Sequence, residues 1–191
     1  MTLLHTTRSV TLRLYHQTAM KLHYHTLFTL AALLVLCACA PTAPKAEPAT
    51  VDTYFPISID KIPLQLQLAL TQAEQNKGLM HRDSMAEDHG MLFLFNQPEP
   101  RSFWMRNTRI PLDIGYFDAS GRLLEIHALY PYDENAVASR SQQVLIAIET
   151  NRGWFARNHI TPGAQLDLDA LSHAITRRGK SFNRDAISTA H

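Results

Sequence analysis

Between Ile62 and Leu70 the side chains alternate: Ile62, Leu64, Leu66, Leu68 and Leu70 fall on one side, Gln65 and Gln67 on the other. A period of two belongs to a half-buried β-strand, and Pro63 is tolerated near its beginning. Thr71-Gln72-Ala73-Glu74 follows at once, a capping box in which Thr71 accepts from the backbone of Glu74 and Glu74 reaches back. A short helix over 72–77 is expected, closed by Gly78 at a left-handed C′ position. Gly90 to Phe95 is a continuous apolar run, the mark of a strand buried on both faces, and Asn96, Gln97 and Pro98 end it.

The remainder reads in the same way. Ser102–Met105 suits a short strand. Leu112–Phe117 and Arg122–Leu129 flank Asp118-Ala119-Ser120-Gly121 and form a hairpin. Gln143–Glu149 and Gln165–Leu168 add two strands, and Trp154–Asn158 one helical turn. The expected fold is mainly β (α+β): a compact curved antiparallel or mixed sheet, or a small barrel, of about seven strands with one or two short helices.

A different signal precedes the domain. Leu27 to Ala38 is apolar except for Thr29, too short for the roughly 20 residues a spanning helix needs and of the length of a secretory h-region. Met20-Lys21-Leu22-His23 supplies a compact basic start. Met20 is therefore the expected translation start, with 20–38 the signal peptide of a leader over 1–38. Leu36-Cys37-Ala38-Cys39 resembles the lipobox of bacterial lipoproteins and implies acylation at Cys39. Ala40 in place of aspartate implies the periplasmic face of the outer membrane. Several acyl chains would anchor the chain to the membrane where one is marginal. Residues 39–60, with Pro41, Pro44, Pro48 and Pro56, read as a flexible tether, 61–170 as the domain, and 171–191 as a loose polar tail.

Cys37 and Cys39 are the two cysteines of the chain, so the domain has no disulfide, thiolate metal site or cysteine nucleophile. Arg8, Arg13 and Lys21 are the charged residues before Cys39, which leaves 15 basic against 17 acidic residues in the remainder. That balance argues against a nucleic-acid partner.

Gln75-x-x-Gly78-Leu79-Met80-x-Arg82, Gly90-Met91-Leu92-Phe93-x-Phe95 and Phe103-Trp104-Met105-Arg106-Asn107-Thr108-x-Ile110-Pro111-Leu112-Asp113 resemble the signature of domain-of-unknown-function family 192. The resemblance runs from about 60 to 169 and implies a small, exported or anchored, β-rich protein; it leaves the chemistry open. Arg106 stands where the family often has lysine, and the two cations differ in bidentate reach.

The polar residues of the signature are the candidate site. Arg82, Asn107, Thr108 and Asp113 form either a structural set, with Arg82 forked onto Asp113 and Asn107 and Thr108 closing a turn, or a polar cluster in a cleft that binds an anionic or sugar ligand. Trp104 is either core or a sugar-stacking platform. Met80, Met85, Met91 and Met105 suit core filling better than copper. His81, Asp83, Asp88 and His89 lack metal-ligand spacing, so neither metal nor cofactor is expected. Asp113 with Glu87 or Asp88 is a conceivable carboxylate pair for glycoside hydrolysis. The sequence favours a non-catalytic envelope module that binds a small polar ligand, a glycan or an envelope protein. The alternatives are an envelope hydrolase using Asp113 with Arg82, and a purely structural assembly protein.

Overall fold

The computed structural model describes residues 49–181; the leader, Met20 and Cys39 lie outside them. Eight strands and three helices follow one another: β1 (Phe55–Ile59), β2 (Ile62–Ala69), α1 (Gln72–Lys77), β3 (His89–Leu94), β4 (Ser102–Phe103), β5 (Leu112–Phe117), β6 (Leu123–Leu129), β7 (Val137–Ala138), β8 (Ile146–Asn151), α2 (Trp154–Arg157) and α3 (Leu168–Arg177). Six strands form one mixed sheet in the order β1-β2-β3-β8-β5-β6, and β4 and β7 make a separate two-stranded ribbon. β2 and β3 run parallel, with α1 in their connection, and every other pair is antiparallel.

The sheet is not a closed barrel, because β1 and β6 do not pair. Its two edges meet one segment instead. The Asp60 and Asp167 amides donate to Gln165 and Ser58, both at 2.9 Å, on the β1 side. The Leu123 amide donates to Ala164 at 2.8 Å and the Leu166 amide to Gly121 at 2.9 Å on the β6 side. The strand expected at Gln165–Leu168 is this latch, reduced to bridges from Gln165 to Arg122 and from Leu166 to Ile59.

Two further expectations are corrected. β1 lies within the stretch read as tether, where Phe55, Ile57 and Ile59 alternate inward around Pro56 and Ser58. The stretch read as loose tail contains most of α3. Asp167 caps that helix by accepting from Asp169 and Ala170, and Leu171, Ala174 and Ile175 are buried. Arg178 then donates to Leu68 O at 2.6 Å and pairs with Glu74 at 2.5 Å, which ties the end of α3 to the capping box of α1. That box is present as expected, with Thr71 Oγ1 accepting from Glu74 N and Glu74 from the Thr71 and Leu70 amides. Gly78 has the expected positive φ of 46° but ψ of −133°, away from the left-handed helical region.

Both sheet faces are covered. Leu64, Leu66 and Leu68 pack with Leu92, Ile148 and Phe117 beneath α2 and α3. On the opposite face Met91, Phe93, Ile114, Tyr116 and Ala147 lie beneath the segment containing Leu79, the β4 segment and the loop containing Met105 and Ile110. The second cover buries Gln67 to 3% exposure, so β2 is more than the half-buried strand its alternation suggested.

Candidate functional site

On that second face the register aligns Gln67 with Met91, Met91 with Glu149, and Glu149 with Ile114. Directly opposed residues share a face, so a glutamine and a glutamate stand on the inner surface beneath the covering loops. Glu149 forms the floor of a cleft of about 280 Å³ between the C-terminal end of α1, the end of β3 and the β4 segment. Phe93, Phe95, Phe103 and Trp104 supply its aromatic walls, and Thr108 and Arg101 are among its polar groups.

Glu149 was not singled out by the sequence. It is 4% exposed, it opens onto the cleft, and among the described residues no hydrogen bond reaches its carboxyl. Burial disfavours the charged form of an unpartnered acid. The Glu149 pKa is accordingly pushed up to about 8, chiefly by desolvation, with the Arg82 charge pulling in the opposite direction. Glu149 therefore carries its proton at neutral pH, as both a donor and an acceptor facing the cleft. Tyr116, buried beside it on β5, is held well above the usual phenol range by burial and by Glu149 and Glu125; its hydroxyl donates to Val137 O at 3.0 Å.

The walls are held by their own contacts. Gln75 Nε2 donates to Leu94 O at 2.7 Å and fastens α1 to the end of β3. The Arg101 guanidinium lies 3.7 Å above the Phe95 ring centroid, pairs with Glu99 at 2.5 Å and donates to Gln97 O at 2.8 Å; its buried Nε has no partner. Trp104 is 46% exposed, with the Arg106 guanidinium 4.1 Å from its ring and Arg106 held in turn by Glu134. At that exposure Trp104 is not a core residue.

The expected candidates separate. Trp104 and Thr108 line the cleft, and Thr108 Oγ1 donates to Arg106 O at 3.1 Å. Asn107 is an exposed turn residue with φ of 54°, whose carbonyl accepts from His81 N at 2.9 Å and joins two covering loops. Arg82 donates to Gln67 Oε1 and to Tyr54 Oη, not to Asp113. Asp113 pairs in register with Thr150, one residue from Glu149, and so belongs to the helix-covered face. There Asp113 accepts from Gly153 N at 2.7 Å and lies 3.3 Å from Arg152 Nε, fixing the turn before α2. The expected Arg82–Asp113 fork is absent because successive strand residues face opposite ways.

Met91 and Met105 are core. Asp83 pairs with Arg109, Glu87 with Arg157 and Asp88 with His89, so the carboxylates proposed to work with Asp113 are each engaged elsewhere. Among the described residues no group of three or more His, Cys, Asp or Glu side chains is placed to share a metal ion. Asp113→Ala is expected to lower unfolding free energy by about 2 kcal/mol, the cost of orphaning a buried amide and a half-buried cation, while ligand binding at the cleft stays unchanged. Denaturant titration and binding measured on the same variant check both halves.

The family model for DUF192, described as an uncharacterized ACR, matches residues 55–168. The chain belongs to the DUF192 family. The match begins at β1 and ends at the first residue of α3, so the core of this DUF192 domain includes β1, at the end of the 39–60 stretch. Solved structures similar to this chain include the following two. A Novosphingobium aromaticivorans protein of unknown function is 35% identical over 66% of this chain and 94% of its own, with a TM-score of 0.58. A Sinorhizobium meliloti protein, provisionally described as a transcription regulator, is 32% identical over 60% of this chain and 95% of its own, with a TM-score of 0.57. No curated protein matches the chain. All three signature blocks contribute to the DUF192 cleft: Gln75, Gly78 and Met80, then Phe93 and Phe95, then Trp104 and Thr108.

Proposed function

We propose that this chain is an exported envelope lipoprotein, acylated at Cys39 and carried on the periplasmic face of the outer membrane, whose DUF192 domain is a non-catalytic binding module for a small polar ligand. The observation that carries the binding role is the cleft itself. Aromatic walls and a few convergent polar groups around an unpartnered carboxyl are the composition of a small-molecule site, and about 280 Å³ is room for one ring-sized ligand. The apolar run ending at Cys39, too short to span a bilayer, supports the envelope address.

A hydrolase built on Asp113 and Arg82 is disfavoured, since the two side chains stand on opposite faces of the sheet. Among the described residues Glu149 is the one acid lining the cleft, whereas glycoside hydrolysis ordinarily uses two flanking carboxyls. A gene-regulatory role, of the kind provisionally attached to the Sinorhizobium protein, would call for a clustered basic face, and the acid–base balance after Cys39 provides no surplus of cations.

Two measurements test the proposal on the full chain made in a bacterial host. Intact mass should show loss of everything before Cys39 and a gain of acyl mass; an unmodified Cys39 removes the lipoprotein half. Calorimetric titration with envelope sugars and muropeptides should show saturable binding, with Trp104→Ala weakening it about tenfold, the scale of one aromatic contact. No saturable binding across the panel removes the ligand half.

A further inference from the structure

Glu149 is enclosed in a particular electrostatic setting. Arg82 faces it from the loop after α1, through a guanidinium already committed to Gln67 and Tyr54. Tyr116 faces it from β5, and beyond Tyr116 lies Glu125 of β6, paired with His127 and Arg140. His89 of β3 shares its sheet face, and Lys77 of α1 and Arg101 of the β4 segment line the cleft with it. Among the described residues the groups nearest the Glu149 carboxyl are thus cationic or neutral, and no second carboxylate lines the cleft. A ligand cation would meet Arg101 and Lys77 at the walls and a protonated acid at the floor. A ligand oxygen would meet a proton donor.

The geometry points to an oxygen-rich ring, a pyranose sugar, as the ligand class: its face lies against Trp104 and the phenylalanine walls, and one of its oxygens meets the Glu149 carboxyl at the floor. This rests on the reading of the cleft as a ligand site and adds which protonation state of its floor does the binding. A carboxylic acid both donates and accepts, which suits a sugar edge bearing hydroxyl and carbonyl oxygens. Loss of the proton removes the donor and turns a negative charge toward the ligand oxygen. Affinity should then fall as Glu149 ionises, approaching tenfold per pH unit above its pKa.

The test titrates the full chain with N-acetylglucosamine, glucose, glucuronate and glucosamine, by calorimetry near pH 6.5 and near pH 9. N-acetylglucosamine is expected to bind near pH 6.5 and to weaken about tenfold near pH 9, with Glu149 titrating at about 8. Glu149→Gln, whose amide does not ionise, is expected to lose the pH dependence, with the same affinity near pH 6.5 and near pH 9. Equal wild-type affinity at the two pH values overturns the inference and leaves the binding module standing. Tighter binding at high pH, or preference for the cationic amino sugar, shows that Glu149 acts as a carboxylate and also overturns it. No binding by any of the four sugars at either pH removes the sugar site itself, and with it the inference.

Discussion

Replacing Glu149 with glutamine should raise the melting temperature at pH 9 by about 10 °C or more and leave it nearly unchanged near pH 4.5. The sign follows from proton counting. In the unfolded chain Glu149 titrates at the ordinary glutamate value of 4.5, and in the folded protein at about 8. Between these values the folded state holds a proton that the unfolded state has released. Stability therefore falls as pH rises through the window from about 4.5 to about 8 and levels off above it. At about 1.4 kcal/mol per pKa unit, the displacement corresponds to roughly 3–5 kcal/mol lost to the wild type at alkaline pH. Glutamine has no proton to release and avoids the loss, while at low pH amide and neutral acid are nearly equivalent. For a domain of this size, a few degrees accompany each kcal/mol. Thermal melts of both proteins across the pH range check it: curves that stay parallel would show that Glu149 is not buried as a neutral acid.

The sequence disclosed far more of the scaffold than of this acid. The strict alternation at Ile62–Leu70 and the Thr71–Glu74 capping box are local signals, and β2 and α1 follow them to within a residue. The signature blocks also pointed to the correct region, since each supplies part of the cleft. Yet the blocks could not show which face a residue occupies. Asp113 and Arg82 look like partners in the sequence and part company in the fold, because one residue of register moves a side chain through the sheet.

Glu149 lies outside the blocks, near the end of an apolar strand, where a glutamate reads as a solvated terminus. Only the pairing of Glu149 with Met91 and Ile114 shows that it is inside. The missed α3 has a different cause. Its spacing of Leu168, Leu171 and Ile175 and its Asp167 cap were legible, but the polar composition after 171 outweighed them. β1 was hidden in the same manner by the prolines around it, although Pro56 is harmless on an edge strand.

Gly90→Ala is expected to cost more than about 3 kcal/mol, although alanine is ordinarily the better residue in a strand. The backbone at Gly90 does not lie in the positive-φ region, so the conformation itself suits any residue. The obstacle is space. A Cβ on Gly90 would lie 2.5 Å from the carbonyl oxygen of Glu149 and 3.0 Å from Leu66 Cδ2. Leu66 can rotate away at modest cost, but the carbonyl belongs to the backbone of β8. The clash can be relieved only by parting β3 from β8 in the middle of the sheet, where both faces are packed and neither strand has an edge to yield toward. Overpacking of this kind costs about 1–3 kcal/mol when side chains absorb it and more when a ladder must open. The displaced residue is Glu149 itself, so the variant should lose affinity for a cleft ligand as well as stability. Urea denaturation of Gly90→Ala, Leu66→Ala and the double variant separates the two contacts: Gly90→Ala should cost as much on the Leu66→Ala background as in the wild type, so the double variant should recover nothing beyond additivity. Recovery in that variant would locate the conflict at Leu66 and leave the approach of β3 to β8 unconstrained.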